Sequence, residues 1–149
     1  MIEDALRQVL GKKLRSIVGT FHVNRGKVSS APISVWLGFD DVRRYRFGGA
    51  SDGWHLVMDE VEPKEVDMQD AGAIRVCDMG RDSPFSKMLD QRVVRVWLMS
   101  SSEPRDIVGV RFDLDTATLR ILNWGDEMYV AEDLPIEAGP GEIAESPIE

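Results

Sequence analysis

The chain has 149 residues, 43% apolar and 30% charged, with a formal net charge of −8. That balance is ordinary for one soluble globular domain, long enough to bury about 70% of its unfolded surface. No apolar run reaches the roughly 18 residues of a transmembrane helix, so none is expected. The opening MIEDALRQVL carries acids and lacks the basic and apolar regions of a secretory signal. A single cysteine, Cys77, cannot form an internal disulfide and fits a reducing compartment, so a cytoplasmic location is the expectation.

The charge is unevenly spread. Residues 1–30 hold six Lys/Arg against two Asp/Glu, and the remainder holds twelve against twenty-four. After Gly125 there are eight acids and no base. Phosphate-backbone binding draws on clustered Lys and Arg, so this layout argues against nucleic acid. It suits a basic protein partner, because complementary fields speed association.

In chain order, Ile2, Ala5, Leu6, Val9 and Leu10 fall at helical spacing, with Glu3 and Asp4 in the first turn and Gly11 past the end. This predicts a short amphipathic helix. Leu14 to Val23, rich in Ile, Val, Thr and Phe, reads as a strand, and Asn24-Arg25-Gly26-Lys27 as a turn. Val35, Leu37 and Phe39 share one strand face while Trp36 points the other way. Val42, Arg44 and Arg46 alternate with Arg43, Tyr45 and Phe47, giving a basic and a mostly aromatic face. Residues 48–53 are a glycine-rich loop, and Trp54 to Met58 the returning strand. Residues 59–72 are acidic and read as an irregular connection. Ala73 to Met79 forms a short strand carrying Cys77, and Ser83-Pro84 opens a brief helix to about Leu89.

Arg92 to Met99 is a strong strand, followed by a loop over residues 100–104. Val108, Val110, Phe112 and Leu114 then alternate with Gly109, Arg111, Asp113 and Asp115. Leu119, Ile121 and Leu122 resume the pattern after a polar turn, which predicts an antiparallel hairpin with one face in a core. Asn123-Trp124-Gly125-Asp126-Glu127 bends the chain into a last short strand over Met128, Tyr129 and Val130. Residues 1–137 thus form a single domain, with 138–149 an acidic flexible tail. The fold class is α+β, dominated by an antiparallel sheet of about nine strands, curled or partly closed, with two short helices. Val35-Trp36-Leu37 recurs as Val96-Trp97-Leu98, and Arg46-Phe47 as Arg111-Phe112. Trp54-His55-Leu56 follows Phe47 at the distance at which Leu119-Arg120-Ile121 follows Phe112. A duplicated three-stranded meander accounts for all three.

Residues with chemistry are few. Asn123, Asp126 and Glu127 offer oxygen ligands or an acid–base pair, but their spacing is not that of an EF-hand loop. His22 and His55 lie on separate predicted strands without HxH or HExxH spacing. Cys77 stands beside Asp78, which works against a reactive thiolate. Arg43-Arg44-Tyr45-Arg46 is a basic run flanked by Asp40 and Asp41. No phosphate loop and no GxSxG elbow is present, and no cofactor or metal is implied.

The stretch GVRFDLDTATLRILNWGDEMYV, through Gly109, Phe112, Leu119, Ile121 and the Asn123 to Glu127 turn, resembles a pattern in small bacterial β-rich proteins. Some of those resemble immunity proteins that neutralise secreted or contact-delivered toxins. The resemblance implies no catalytic set. The leading expectation is a non-enzymatic protein-binding domain, immunity-like, that presents an acidic surface through Trp124, Asp126, Glu127, Tyr129, Glu132 and Asp133. The alternatives are a small-ligand binder or enzyme using carboxylates on a concave sheet face, and a homo-oligomeric subunit, such as a homodimer, meeting through Trp36 or Trp97.

Overall fold

The structure is a computed structural model that describes residues 2–41, 43–81, 83–102 and 106–149. Val42 of the basic alternation, and Glu103 and Pro104 of the expected loop, lie outside the described residues.

The helix α1 spans Ile2–Val9, with Glu3 and Asp4 in its first turn and Leu6 and Val9 buried. Its apolar stripe caps the end of a core built by two antiparallel sheets. The first sheet contains β1 (Leu14–Asn24), β2 (Lys27–Val28), β3 (Ser34–Phe39), β4 (Tyr45–Gly49), β5 (Leu56–Asp59), β6 (Val66–Asp67) and β7 (Ala73–Asp78). Its order is β5-β4-β3-β1-β7-β6, with β2 folded back on β1. The second contains β8 (Val93–Ser101), β9 (Ile107–Leu114), β10 (Thr118–Trp124), β11 (Glu127–Ala131) and β12 (Ile143–Pro147), in the order β11-β10-β9-β8-β12.

The inward faces meet in one cluster. Val35, Leu37 and Phe47 of the first sheet are fully buried with Val96, Val110, Phe112, Leu119 and Ile121 of the second. These are the alternating apolar positions of the sequence, and burying them is the main force joining the sheets. A second, smaller cluster lies on the outer face of the second sheet, where Met99, Val108 and Leu122 are covered by Trp54, Trp124, Tyr129, Leu134 and Ile143. The chain from β11 to β12 crosses that face, and Leu134 is its apolar anchor.

Antiparallel sheet dominates, as the alternation predicts, but the details differ. Twelve strands are present among the described residues, and the two sheets stay open. The segment expected to be irregular contains β6 and a 3-10 turn over Gln69–Ala71. The second helix is only a 3-10 turn, Ser86–Met88. Ser83 is not its cap: the helical turn begins two residues later than expected, behind Phe85, and the Ser83 Oγ accepts from the Phe85 N–H at 3.1 Å in the preceding turn, while Leu89 is already extended. Trp54 and His55 sit in the loop before β5 rather than on it. Residues 143–147, assigned to a tail, pair with β8, and Arg111 and Arg120 both reach Glu145 there. Composition had suggested little to bury, but this strand is held by backbone ladder and charge.

Two words of the internal repeat occupy equivalent places. Trp36 faces Arg46 across β3–β4, and Trp97 faces Arg111 across β8–β9. Val35 likewise faces Phe47, and Val96 faces Phe112. The third word does not carry over, because Phe47 pairs with Met58 while Phe112 pairs with Leu119. The loop 50–55 is longer than the turn after β9, which shifts the return strand.

The two repeated tryptophans are not free faces. Trp36 is 3% exposed, and its Nε1–H donates to the Val61 carbonyl at 2.6 Å. The acidic segment that begins at the end of β5 covers it and also pairs with the basic run: Arg43 with Glu60, Arg44 with Glu62 and Arg46 with Asp59 of β5 itself. The run read as a basic strand face is thus an internal ion-pair ladder. Trp97 donates to Asp113 at 2.8 Å, with the Arg111 guanidinium 4.6 Å from its ring centroid.

Candidate functional site: a groove beside the β10–β11 hairpin

The sequence Trp124-Gly125-Asp126-Glu127 closes a two-residue hairpin, with Trp124 opposite Glu127. Gly125 and Asp126 have φ of 60° and 63°, the signature of a type I′ turn, which matches the twist of the flanking strands. Glycine takes that conformation freely and aspartate tolerates it, so the turn follows from local chemistry. Along β10, Leu119 and Ile121 point into the main core with Asn123, while Leu122 and Trp124 point outward.

Asn123 is the buried polar member of this face, only 2% exposed. Its Nδ2 donates to the His55 carbonyl at 3.1 Å, tying the second sheet to the loop before β5. That bond fixes the amide orientation and leaves Oδ1 buried without a partner among the described residues. The Trp54 Nε1–H is also buried and has no partner among them. His55 sits between two acids. Its Nδ1 meets the Asp52 carboxylate, and its Nε2 lies 2.9 Å from Asp106 Oδ1. The bond to Asp52 is the main reason its pKa is raised, with burial opposing and Asp106 adding to the rise. The same bond, with the His55 and Trp54 backbone N–H groups, holds Asp52 down at about 2.

Two connected depressions run along the hairpin. One, of about 450 Å³, is lined by Phe21, Phe85, Trp124, Tyr129 and Pro135. Glu127 and Glu137 are its charged lining residues, and among the described residues no Lys or Arg lines it. The other, of about 400 Å³, contains Asn123, Asp126, Glu127 and His22. Both share Ser30, Ala31, Pro32, Glu127 and Met128, so the two adjoin and together make up the groove. His22 lines the second depression, with Nε2 2.7 Å from the Ala71 carbonyl oxygen.

Of the six residues expected to form a contact surface, Trp124, Asp126, Glu127 and Tyr129 line this groove. Burial pushes the Tyr129 phenol up, and the nearby Asp133 and Glu137 add to it. Glu132 and Asp133 do not line the groove. The Glu132 carboxylate pairs with Lys87, and the exposed Asp133 offers its carbonyl to the Tyr129 hydroxyl at 2.9 Å. Sequence reasoning missed the rest of the lining. Phe21, Pro32 and Phe85 come from distant segments, and no local pattern links them to the hairpin. Glu137, assigned to the edge of the domain, lines the groove together with Glu127.

Cys77 is a half-buried free thiol on β7. Among the described residues no group of three His, Cys, Asp or Glu side chains is arranged to hold a metal ion. No described helix is long and apolar enough to cross a membrane. No protein-family model, no curated protein and no solved structure matches this chain.

Proposed function

We propose that the protein is a protein-binding domain that receives a basic partner on the groove beside β11. One observation supports this above the rest: an aromatic-lined depression whose charged lining side chains, among the described residues, are carboxylates with no Lys or Arg. Aromatic walls supply desolvated contact area, and the acids select positive charge. The acidic terminus beyond Gly125 extends the same field around the groove. An immunity-like role, neutralising a basic toxin surface, is the narrower form of this reading.

The test compares peptides of one apolar composition bearing either Lys/Arg or Glu, titrated at low and high salt against the wild-type chain. The basic set binds and weakens with salt. The double variant Glu127→Lys, Glu137→Lys weakens it by about tenfold or more. Equal binding of both sets, or indifference to the double variant, rules the reading out.

A second reading, small-ligand binding, is favoured by one fact: Asn123, Asp126, Glu127 and His22 line the same depression. It predicts that a small primary amine, such as spermidine, raises the melting temperature of the wild type but not of Asp126→Asn with Glu127→Gln.

A further inference from the structure

The hairpin register identifies which backbone groups of β11 are free. In a two-residue hairpin the closing pair, Trp124 and Glu127, exchanges both ladder bonds. The bonded pairs that follow are Leu122 with Tyr129 and Arg120 with Ala131. The N–H and C=O of Met128 and Val130 therefore face away from β10, and they have no partner among the described residues. This edge opens directly into the groove, since Met128, Tyr129 and Val130 all line it.

Two of the other sheet edges are blunted. β6 is two residues long. β12 carries Pro147, which has no N–H, and turns Glu145 back to its own arginines. Short strands, prolines and self-paired charges are the usual protections of an edge. β11 has no proline and no self-paired charge among the described residues, and its flank is lined by aromatic and aliphatic side chains together with Glu127 and Glu137.

At the hairpin end of the groove stands Asn123, whose buried Oδ1 has no donor among the described residues. Leaving such an acceptor dry is costly, so a donor is wanted there. Asp126 and Glu127 line the same end and, when ionised, only accept. A lysine ammonium or arginine guanidinium has only donors and carries the complementary charge.

We infer that β11 receives an extended peptide as an added strand, with main-chain bonds to Met128 and Val130 and a Lys or Arg side chain at Asn123, Asp126 and Glu127. This rests on the acidic-groove reading above and specifies its mode. Strand addition takes affinity from the main chain and specificity from pockets for alternate side chains. Here one pocket is aromatic, between Phe21 and Phe85, and the other is acidic, at the hairpin end.

The probe is an alternating lysine–valine peptide blocked at both ends, with two derivatives N-methylated on one or the other alternate set of residues. Only one set turns its N–H groups to β11, so one derivative loses at least tenfold in affinity while the other keeps it. In the complex the amides of Met128 and Val130 shift in the NMR spectrum and gain protection from exchange. Replacing each lysine by norleucine weakens binding to the wild type but costs far less against Asp126→Asn with Glu127→Gln. Val130→Pro removes an edge donor without touching the β10 ladder, and it weakens the unmodified peptide. If the two N-methylated derivatives behave alike while binding stays salt-sensitive, strand addition is overturned and the acidic-groove reading stands. If the unmodified peptide does not bind at low salt, both fall.

Discussion

Phe47 and Phe112 hold equivalent register positions in the two meanders, opposite Val35 and Val96 respectively, and they meet edge to face across the sandwich. Their ring centroids are 6.1 Å apart at 82°. Phe39 approaches Phe112 as well, at 5.9 Å. The joint between the sheets is thus an aromatic cluster with a favoured geometry. Phe112→Ala is expected to cost about 3–5 kcal/mol in urea unfolding, and Phe47→Ala a similar amount. The double variant should lose less than the sum, because each single change already removes the shared contact. Strict additivity would mean that the pair is not coupled.

Gly109 faces Leu122 across β9–β10. A Cβ at that glycine would lie 2.4 Å from the Leu122 Cβ and 2.7 Å from the Ile121 carbonyl oxygen. Gly109→Ala is therefore expected to destabilise by about 1–3 kcal/mol, as overpacking does. Leu122→Ala should fail to rescue it, since the obstacles are a Cβ and a backbone oxygen. Rescue in a chemical-denaturation series would show that the strands can slide apart.

The His55 latch has a definite pH sign. His55 is raised in the folded state, so its contribution is complete below its unfolded value, about 6.5, and fades as pH rises through the folded one. Asp52 is held at about 2 against an ordinary value of 3.8, so its contribution is present above 3.8 and fades as pH falls towards 2. The stabilising window of the cluster lies between. The melting-temperature difference between wild type and His55→Gln should be largest there and shrink at alkaline pH. A difference that does not change with pH would mean the ion pairs with Asp52 and Asp106 contribute nothing.

Glu145 is the shared acceptor of Arg111, at 3.1 Å, and Arg120, at 2.9 Å. Burial opposes its ionisation, but the two arginines outweigh that and hold its carboxyl below the usual glutamate range. Glu145→Gln should cost about 1–3 kcal/mol, because two part-buried guanidinium groups lose their charged partner. Removing residues 143–149 should do the same and also free the β8 edge, seen as faster amide exchange over residues 97–101. Unchanged exchange there would deny β12 a structural role.

The sequence by itself determined the long alternating strands, though not the short β6 or β12, because period-two alternation is a local property that burial on one face enforces. It placed turns at Gly125-Asp126 and at Arg25-Gly26, since glycine, with aspartate beside it in the first, is written where the chain takes positive φ. It named Trp124, Asp126, Glu127 and Tyr129, because an aromatic beside acids in a polar turn is visible along the chain. Glu145 was not legible in this way. It sits in a Gly/Pro-rich acidic stretch, and only its arginines, 25 and 34 residues away, make it a strand residue. The tertiary structure alone decided that there are two open sheets, that the acidic segment beginning at the end of β5 neutralises Arg43, Arg44 and Arg46, and that Phe21 and Phe85 complete the groove. Each of these depends on contacts between segments far apart in the chain, and local periodicity carries no record of which face meets which. The acidic, Trp-bearing turn was read as a surface, and the fold made it one wall of a groove with a free strand edge.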